Sequence, residues 1–176
     1  MSNITVSRIT HSTVIIDDLN TLGFAKTIEL PKISYSFAEH NAVGMFGKIN
    51  LPAGGMEALE MSIDWNSFNA DIFAKLVRPF EVSRLTIRGV VDDYNAYGRK
   101  SAPGTLLVEC GAIFNETSLG SLEQSSPSEW TSTCSVTTLK ISQDGRVLIN
   151  YDPHINRLIV DGVDVNAARN EILGVG

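Results

Sequence analysis

The sequence predicts a mainly β domain, an antiparallel β-sandwich or barrel with one packed α-helix and a short C-terminal helix. Segments that alternate apolar and polar residues recur along the chain, about seven to nine of them by the period-2 criterion. Turn-forming residues separate most of these segments, as in strands that pair consecutively through hairpins. Only two stretches show a helical period, and an amphipathic helix needs a sheet to cover.

The stretch from Met56 to Val77 contains the strand and the helix around which the prediction is organised. Its first half alternates, with four apolar residues on one parity: Leu59, Met61, Ile63 and Trp65. This pattern predicts a strand with one buried face and one wet face. The second half repeats apolar residues at four-residue steps: Phe68, Ile72 and Leu76. That spacing predicts an amphipathic helix, with Asn69 as its N-cap and an end before Pro79.

The N-terminal part of the chain predicts an arm followed by three strands. Residues 1–10 show no clear pattern, and we interpret them as an arm. The runs Thr13–Asp17 and Phe24–Leu30 flank a turn-prone segment, which favours a hairpin. After Pro31 the alternation resumes in a third strand with three aromatic or aliphatic residues: Ile33, Tyr35 and Phe37.

The segment 38–55 is predicted to be a long interaction loop, because it shows no sustained period and carries four glycines and a proline. Irregular segments of this length are uncommon in compact domains and are usually functional or mobile. Its apolar residues favour packing, either on its own domain or on a neighbouring copy: Val43, Met45, Phe46, Ile49 and Leu51.

The second half of the chain predicts four strands and the final helix. The strands are expected at residues 84–91, 106–114, 131–141 and 147–151. A parity switch between Val136 and Leu139 indicates a bulge in the third of them, and Asp144-Gly145 predicts the hairpin turn that follows. The segment 115–129 is polar and serine-rich. Asp164 is the expected cap of the last helix, which Gly174 closes and which turns three residues inward: Val165, Ala168 and Ile172.

Composition sets limits on the class of protein. A chain of 176 residues is long enough for one domain with a proper core, and we treat residues 1–176 as one domain. The net charge of −6 argues against a basic groove for nucleic acid. No apolar run approaches a membrane span, so we expect a cytoplasmic protein without a membrane-spanning segment. In that compartment buried free thiols are favoured over a disulfide for Cys110 and Cys134.

Charged residues share the polar parity of two predicted strands. Glu60 and Asp64 are four residues apart in one strand, and Arg84 and Arg88 have the same spacing in another. Two carboxylates at that separation along a strand lie about 13 Å apart, too far for an acid–base pair. If the strands are neighbours, cross-strand ion pairs follow; otherwise the four residues form a charged sheet face that lines something.

No pattern of catalytic, cofactor-binding or metal-ligating residues emerges. His11, His40 and His154 are far apart, and none has a metal-ligand spacing. A phosphate-binding glycine loop and a nucleophile elbow are both missing from the sequence. The residues alone therefore suit an assembly subunit better than an enzyme, with no cofactor.

Several ordered blocks of the chain resemble the major tail tube proteins of contractile-tailed bacteriophages and of phage-tail-like bacteriocins. They are a hairpin ending in Leu-Pro-Lys (AKTIELPKISY), Gly44-Met45 in the following loop, the MEALEMSIDW strand leading into the helix, and the C-terminal run DGRVLINYDPHINRLIVDGVDVNAARNEILGVG. The resemblance covers the middle, from Asp92 to Ser132, only loosely.

The resemblance implies a fold related to the tube proteins of type VI secretion. It also implies hexameric rings that stack into a hollow tube inside a sheath, assembled in the bacterial host cytoplasm as part of a virion tail or bacteriocin particle. The implied partners are copies of the same chain, the sheath protein, the tape-measure protein, and the baseplate and tail-terminator proteins. DNA would be only passing cargo, without sequence-specific contacts.

The alternative function is a monomeric ligand- or carbohydrate-binding β-sandwich. Such a protein would carry a defined pocket, and carbohydrate sites commonly use a platform of aromatic residues. The seven Phe, four Tyr and two Trp residues form no such cluster in the sequence.

Overall fold

The computed structural model describes residues 5–96, 98–99, 102–120 and 128–175. In them the chain forms thirteen strands, two α-helices and a 3₁₀ turn at Pro153–Ile155. The helices are α1 (Ala70–Leu76) and α2 (Ala167–Leu173). The strands are β1 (Val6–Ile16), β2 (Leu19–Asn20), β3 (Ala25–Glu29), β4 (Tyr35–His40), β5 (Ile49–Met56), β6 (Leu59–Trp65), β7 (Ser83–Asn95), β8 (Gly98–Arg99), β9 (Gly104–Thr117), β10 (Trp130–Gln143), β11 (Arg146–Asp152), β12 (Arg157–Val160) and β13 (Val163–Asp164).

Eleven of these strands belong to one antiparallel sheet that divides along β10. The main path runs β13-β12-β11-β10-β9-β7-β1-β2, with β8 on β7. The first half of β10, from Trp130 to Val136, pairs with β6, which in turn pairs with β3. The second half, from Leu139 to Gln143, pairs with β11. The fold is mainly β as predicted, and the described strands form an open path that does not close into a barrel.

A bulge in β10 lies where the sheet divides. The register between β10 and β9 shifts between Val136 and Thr138, which confirms the bulge that the parity switch predicted. Thr137 donates its hydroxyl to the Gly111 carbonyl at 3.1 Å, and Thr138 accepts from the Gly111 amide at 3.1 Å. A Cβ atom at Gly111 would lie 2.8 Å from the Thr137 hydroxyl oxygen. Glycine at this position therefore allows the two strands to approach closely.

The core is built on two stacked tryptophans and helix α1. The rings of Trp65 and Trp130 lie 5.1 Å apart, and Phe73 of α1 contacts the Trp130 ring edge-on at 5.8 Å. The fully buried Trp65 donates its indole N–H to Ser132 at 3.1 Å. Helix α1 begins as predicted, because the Asn69 side chain accepts hydrogen bonds from the Asp71 and Ile72 amides. The apolar parity of β6 and the helical stripe therefore meet in one core.

The N-terminal pairing differs from the prediction. Residues 6–10, assigned to an arm, lie in β1 and pair with β7; residues 1–4 lie outside the described part. β1 forms a hairpin with β2, whereas the predicted hairpin partner, β3, pairs with β6. The chain reverses direction directly after β1, because Asp17 adopts a left-handed conformation (φ 53°). Thr21 then donates hydrogen bonds to the Val14 carbonyl from both its amide and its hydroxyl.

The C-terminal helix forms but does not pack inward. Gly174 ends α2 in a left-handed conformation, as predicted. Ile172 is 85 % exposed and no residue of α2 is buried, so the predicted inward face is wrong. The helix is fixed instead by polar contacts, with the Asn156 side chain donating to Asn170 at 2.6 Å.

The two cysteines agree with the sequence-based expectation, because Cys110 and Cys134 are both free and buried. Neither α-helix of the described chain is long and apolar enough to span a membrane. Residues 121–127 of the serine-rich segment lie outside the described residues.

We predict that Trp65→Ala lowers the free energy of unfolding by about 3–5 kcal/mol, because it removes a buried aromatic ring and leaves a cavity. Chemical denaturation followed by circular dichroism measures the loss. The matched control is Phe46→Ala, an aromatic truncation at a fully exposed position, where a change within about 0.5 kcal/mol is expected for the monomeric protein at low concentration. Equal losses in both variants would contradict this account of the core.

Candidate interaction surfaces

A hairpin arm comprising residues 35–56 is exposed along almost its whole length, apolar side chains included. The predicted interaction loop at 38–55 is mostly regular, because β4 and β5 pair with each other in a separate two-stranded sheet. The register shifts between Tyr35 and Phe37, and Pro52 and Gly54 interrupt the alternation of β5. These irregularities hide the strand period from a sequence-based prediction.

The five candidate loop residues lie at the tip of the arm and along one of its faces. Val43 and Phe46 are fully exposed at the tip, where Met45 is also exposed. Ile49 and Leu51 are exposed in β5 and, being two residues apart, point to the same face of the hairpin. Near them Lys48 pairs with Glu39 at 2.7 Å. Five exposed apolar side chains within nine residues make this arm a candidate interaction surface.

The four residues of the candidate charged face do lie on one face of the sheet. That face does not contain the ion pairs considered above. β6, which carries Glu60 and Asp64, is separated from β7 by β10 and β9. Asp64 instead accepts a hydrogen bond from the Thr131 hydroxyl at 2.7 Å. Arg84 pairs in register with Gly111, and Arg88 with Leu107. All four residues belong to the strand parity opposite to the core, so their face of the sheet is polar and open.

The structure excludes the cross-strand ion pairs, because two strands distant in sequence, β9 and β10, lie between β6 and β7. Hydroxyl side chains occupy the intervening positions of β10 on the same face, among them Thr131, Thr133 and Ser135. The one ion pair of the described chain that links β9 and β10 joins Lys140 to Glu109 at 3.0 Å.

Sequence reasoning missed a second exposed apolar site, the loop between α1 and β7. Phe80 is 91 % exposed and adopts a left-handed conformation (φ 64°), which is costly for an aromatic residue. Asp17 holds both ends of this loop: its carboxylate accepts from Lys75 of α1 at 2.9 Å and from the Arg84 amide at 2.9 Å. The positive φ of Phe80 has no signal in the sequence.

The family model for phage tail tube protein FII matches residues 7–174, so the chain belongs to this family. This is a family of structural proteins of the tail tube. The protein is therefore a tail tube component, and it is not an enzyme.

Solved structures agree with the fold. A chain in the sheath/tube terminator of the extracellular contractile injection system PVC, in the extended state, is similar with a TM-score of 0.53 and 14% identity, covering 77% of this chain and 95% of that one. A chain in the PVC sheath-tube complex has a TM-score of 0.51 and 17% identity, covering 74% and 87%. No curated protein matches the sequence.

We predict that Asp17→Asn destabilises the protein at neutral pH and that the difference from wild type shrinks below about pH 4. Partial burial alone would raise the pKa of Asp17, but the hydrogen bonds from Lys75 and the Arg84 amide, with their charges, hold this pKa below its ordinary value. A lowered pKa stabilises the fold above the unfolded-state pKa, and this stabilisation is lost as the pH falls through the folded-state value.

Thermal unfolding between pH 7 and pH 3 measures this effect. Asp18→Asn is the matched control, because the neighbouring Asp18 makes neither of the two contacts of Asp17. A pH-independent difference between wild type and Asp17→Asn would contradict the assigned role of the carboxylate.

Proposed function

We propose that the protein is the inner tube subunit of a contractile tail, in which six copies form a ring and rings stack around a central channel. The observation that carries this proposal is the hairpin arm. Its apolar tip and face have no partner within the described chain, yet the chain belongs to a family whose members build tubes. In this proposal the arm packs on a neighbouring copy and its apolar surface leaves water.

The open edges of the sheet are consistent with assembly from copies of the same chain. On β1 only Ile15 and Ile16 pair with β2, so most of its outer edge has no strand partner in the described residues. β3 pairs with β6 on one side. Unpaired edges invite association with other chains, and a ring of copies would cover them.

The acidic composition suits a channel for DNA or for a tape-measure protein. Six copies at −6 each would carry a formal charge of six times −6, or −36. A net negative channel would repel phosphate groups, so DNA would slide through it rather than bind. The open polar face that carries Glu60, Asp64, Arg84 and Arg88 is a candidate for the channel wall.

The further partners follow from a place inside a contractile tail. The similar solved chains come from a sheath-tube complex and from a sheath/tube terminator. On this basis we propose that the tube contacts a sheath protein on its outside and a terminator protein at one end. From the resemblance to tail tube proteins we further propose a baseplate protein at the other end and the tape-measure protein inside. Assembly would take place in the cytoplasm of a bacterial host, as part of a virion tail or a bacteriocin particle.

The double variant Met45→Ser/Phe46→Ser tests the role of the arm. Both side chains are exposed, so the variant should fold with a circular dichroism spectrum and a melting temperature close to those of wild type. It should remain monomeric at concentrations where wild type forms large species in analytical ultracentrifugation, because the apolar tip no longer contributes burial in the interface.

The matched control is Ile172→Ser, which makes a similar change at an exposed residue of α2. Loss of folding in the arm variant would place Met45 and Phe46 in the core of the domain and contradict the proposal. A wild-type protein that stays monomeric at every concentration and salt would favour the alternative, a monomeric binding domain.

A further inference from the structure

The described chain contains an apolar slot between the open edges of β1 and β3. Its volume is about 170 Å³, and its lining includes six aliphatic side chains: Ile9, Ile28, Leu30, Ile87, Leu106 and Val108. Ile87 is buried at the base of the slot, whereas Ile9 and Leu30 are exposed at its mouth. None of the lining residues is charged.

We propose that this slot receives the arm tip of a second copy, with the Phe46 ring seated between β1 and β3. The proposal rests on the proposed assembly function and identifies the surface that accepts the arm. An apolar cavity of about 150 Å³ accommodates a benzene ring, so a volume near 170 Å³ suits one phenyl side chain.

Phe46 is favoured over Phe80, the next most exposed aromatic residue of the described chain, by its reach. β4 and β5 extend over six and eight residues, which at the strand rise places the tip about 20 Å or more from the base of the arm. Phe80 lies instead on a short loop whose two ends are held by Asp17. A ring at the end of an arm can enter a slot on a neighbouring molecule.

The area and charges of the contact favour docking of the whole arm of a second copy. Insertion of the Phe46 side chain alone would bury too little area. A buried phenyl ring contributes about 150–250 Å², well below the roughly 800 Å² per partner of a stable interface. The remainder is available along the arm, where Ile49 and Leu51 are exposed, and along the unpaired edge of β1, where Val6 is exposed. Lys48 and Glu39 already pair with each other, so docking leaves neither charge unpaired.

The arm and the slot are different surfaces of the same chain, so their contact is head-to-tail. Such heterologous contacts close into rings or continue as filaments, whereas a two-fold contact stops at the dimer. The proposed docking therefore predicts that a disulfide across the contact links copies into a series of covalent oligomers larger than the dimer.

Disulfide trapping tests the docking in the double variant Ser12→Cys/Gly47→Cys. Ser12 lines the slot, and Gly47 follows Phe46 in open space, so a side chain there leaves the phenyl ring in place. The native thiols give little background, because burial raises the pKa of Cys110 and Cys134 to about 12. Assembled protein is oxidised with copper phenanthroline and run on a non-reducing gel.

The expected result is a ladder that extends beyond the dimer, absent from the control Gly47→Cys/Ala168→Cys, which moves the acceptor to exposed α2. A dimer alone, or an intrachain disulfide in the monomer, would overturn the head-to-tail contact. Tubes visible by electron microscopy without any crosslink would overturn the slot assignment while leaving the tube function intact. Absence of every assembled species would contradict both the slot assignment and the proposed tube function.

A second variant fills the slot from within the same chain. Ser12→Phe should raise the concentration needed for assembly about tenfold or more, since a buried aromatic contact is lost between copies, while the melting temperature stays equal or rises. His11→Phe is the matched control, because the adjacent side chain points to the opposite face of β1. Equal assembly of Ser12→Phe and wild type would contradict the proposal.

Discussion

The fold depends on the division of β10 between two partner strands. One end of this strand pairs with β6 and brings Trp130 against Trp65, while the other end pairs with β11 and begins the C-terminal part of the sheet. The bulge near Thr137, opposite Gly111, separates the two halves. Because both halves share β9 on the other side, the core and the open polar face are positioned by the same strand.

Local patterns predicted the elements that depend on local physics. The alternation from Leu59 to Trp65, the cap at Asn69 and the bulge after Val136 all appear in the structure, since each depends on a few consecutive residues. The pairing of β1 with β7 depends on residues about eighty positions apart, and no local pattern specifies it. The same limit explains why the sequence left open whether the strands of Glu60 and Arg84 are neighbours.

The candidate surfaces were predicted unevenly. The five apolar residues of the arm were recognised because apolar side chains in a glycine-rich segment are unusual, although the regular pairing of β4 and β5 was not. The slot between β1 and β3 could not be predicted, because it exists only after four distant strands have assembled. Helix α2 was expected to bury Ile172, but its polar asparagine contacts allow an exposed apolar face.

In the described residues an apolar arm, unpaired sheet edges and an apolar slot are all left exposed. The most direct measurement of the central claim is electron cryo-microscopy of the purified wild-type protein at high concentration. The account predicts hollow tubes of stacked six-fold rings in which the arm of each copy is buried against another copy. Assemblies in which the arm remains exposed to solvent, or a protein that stays a dispersed monomer, would contradict it.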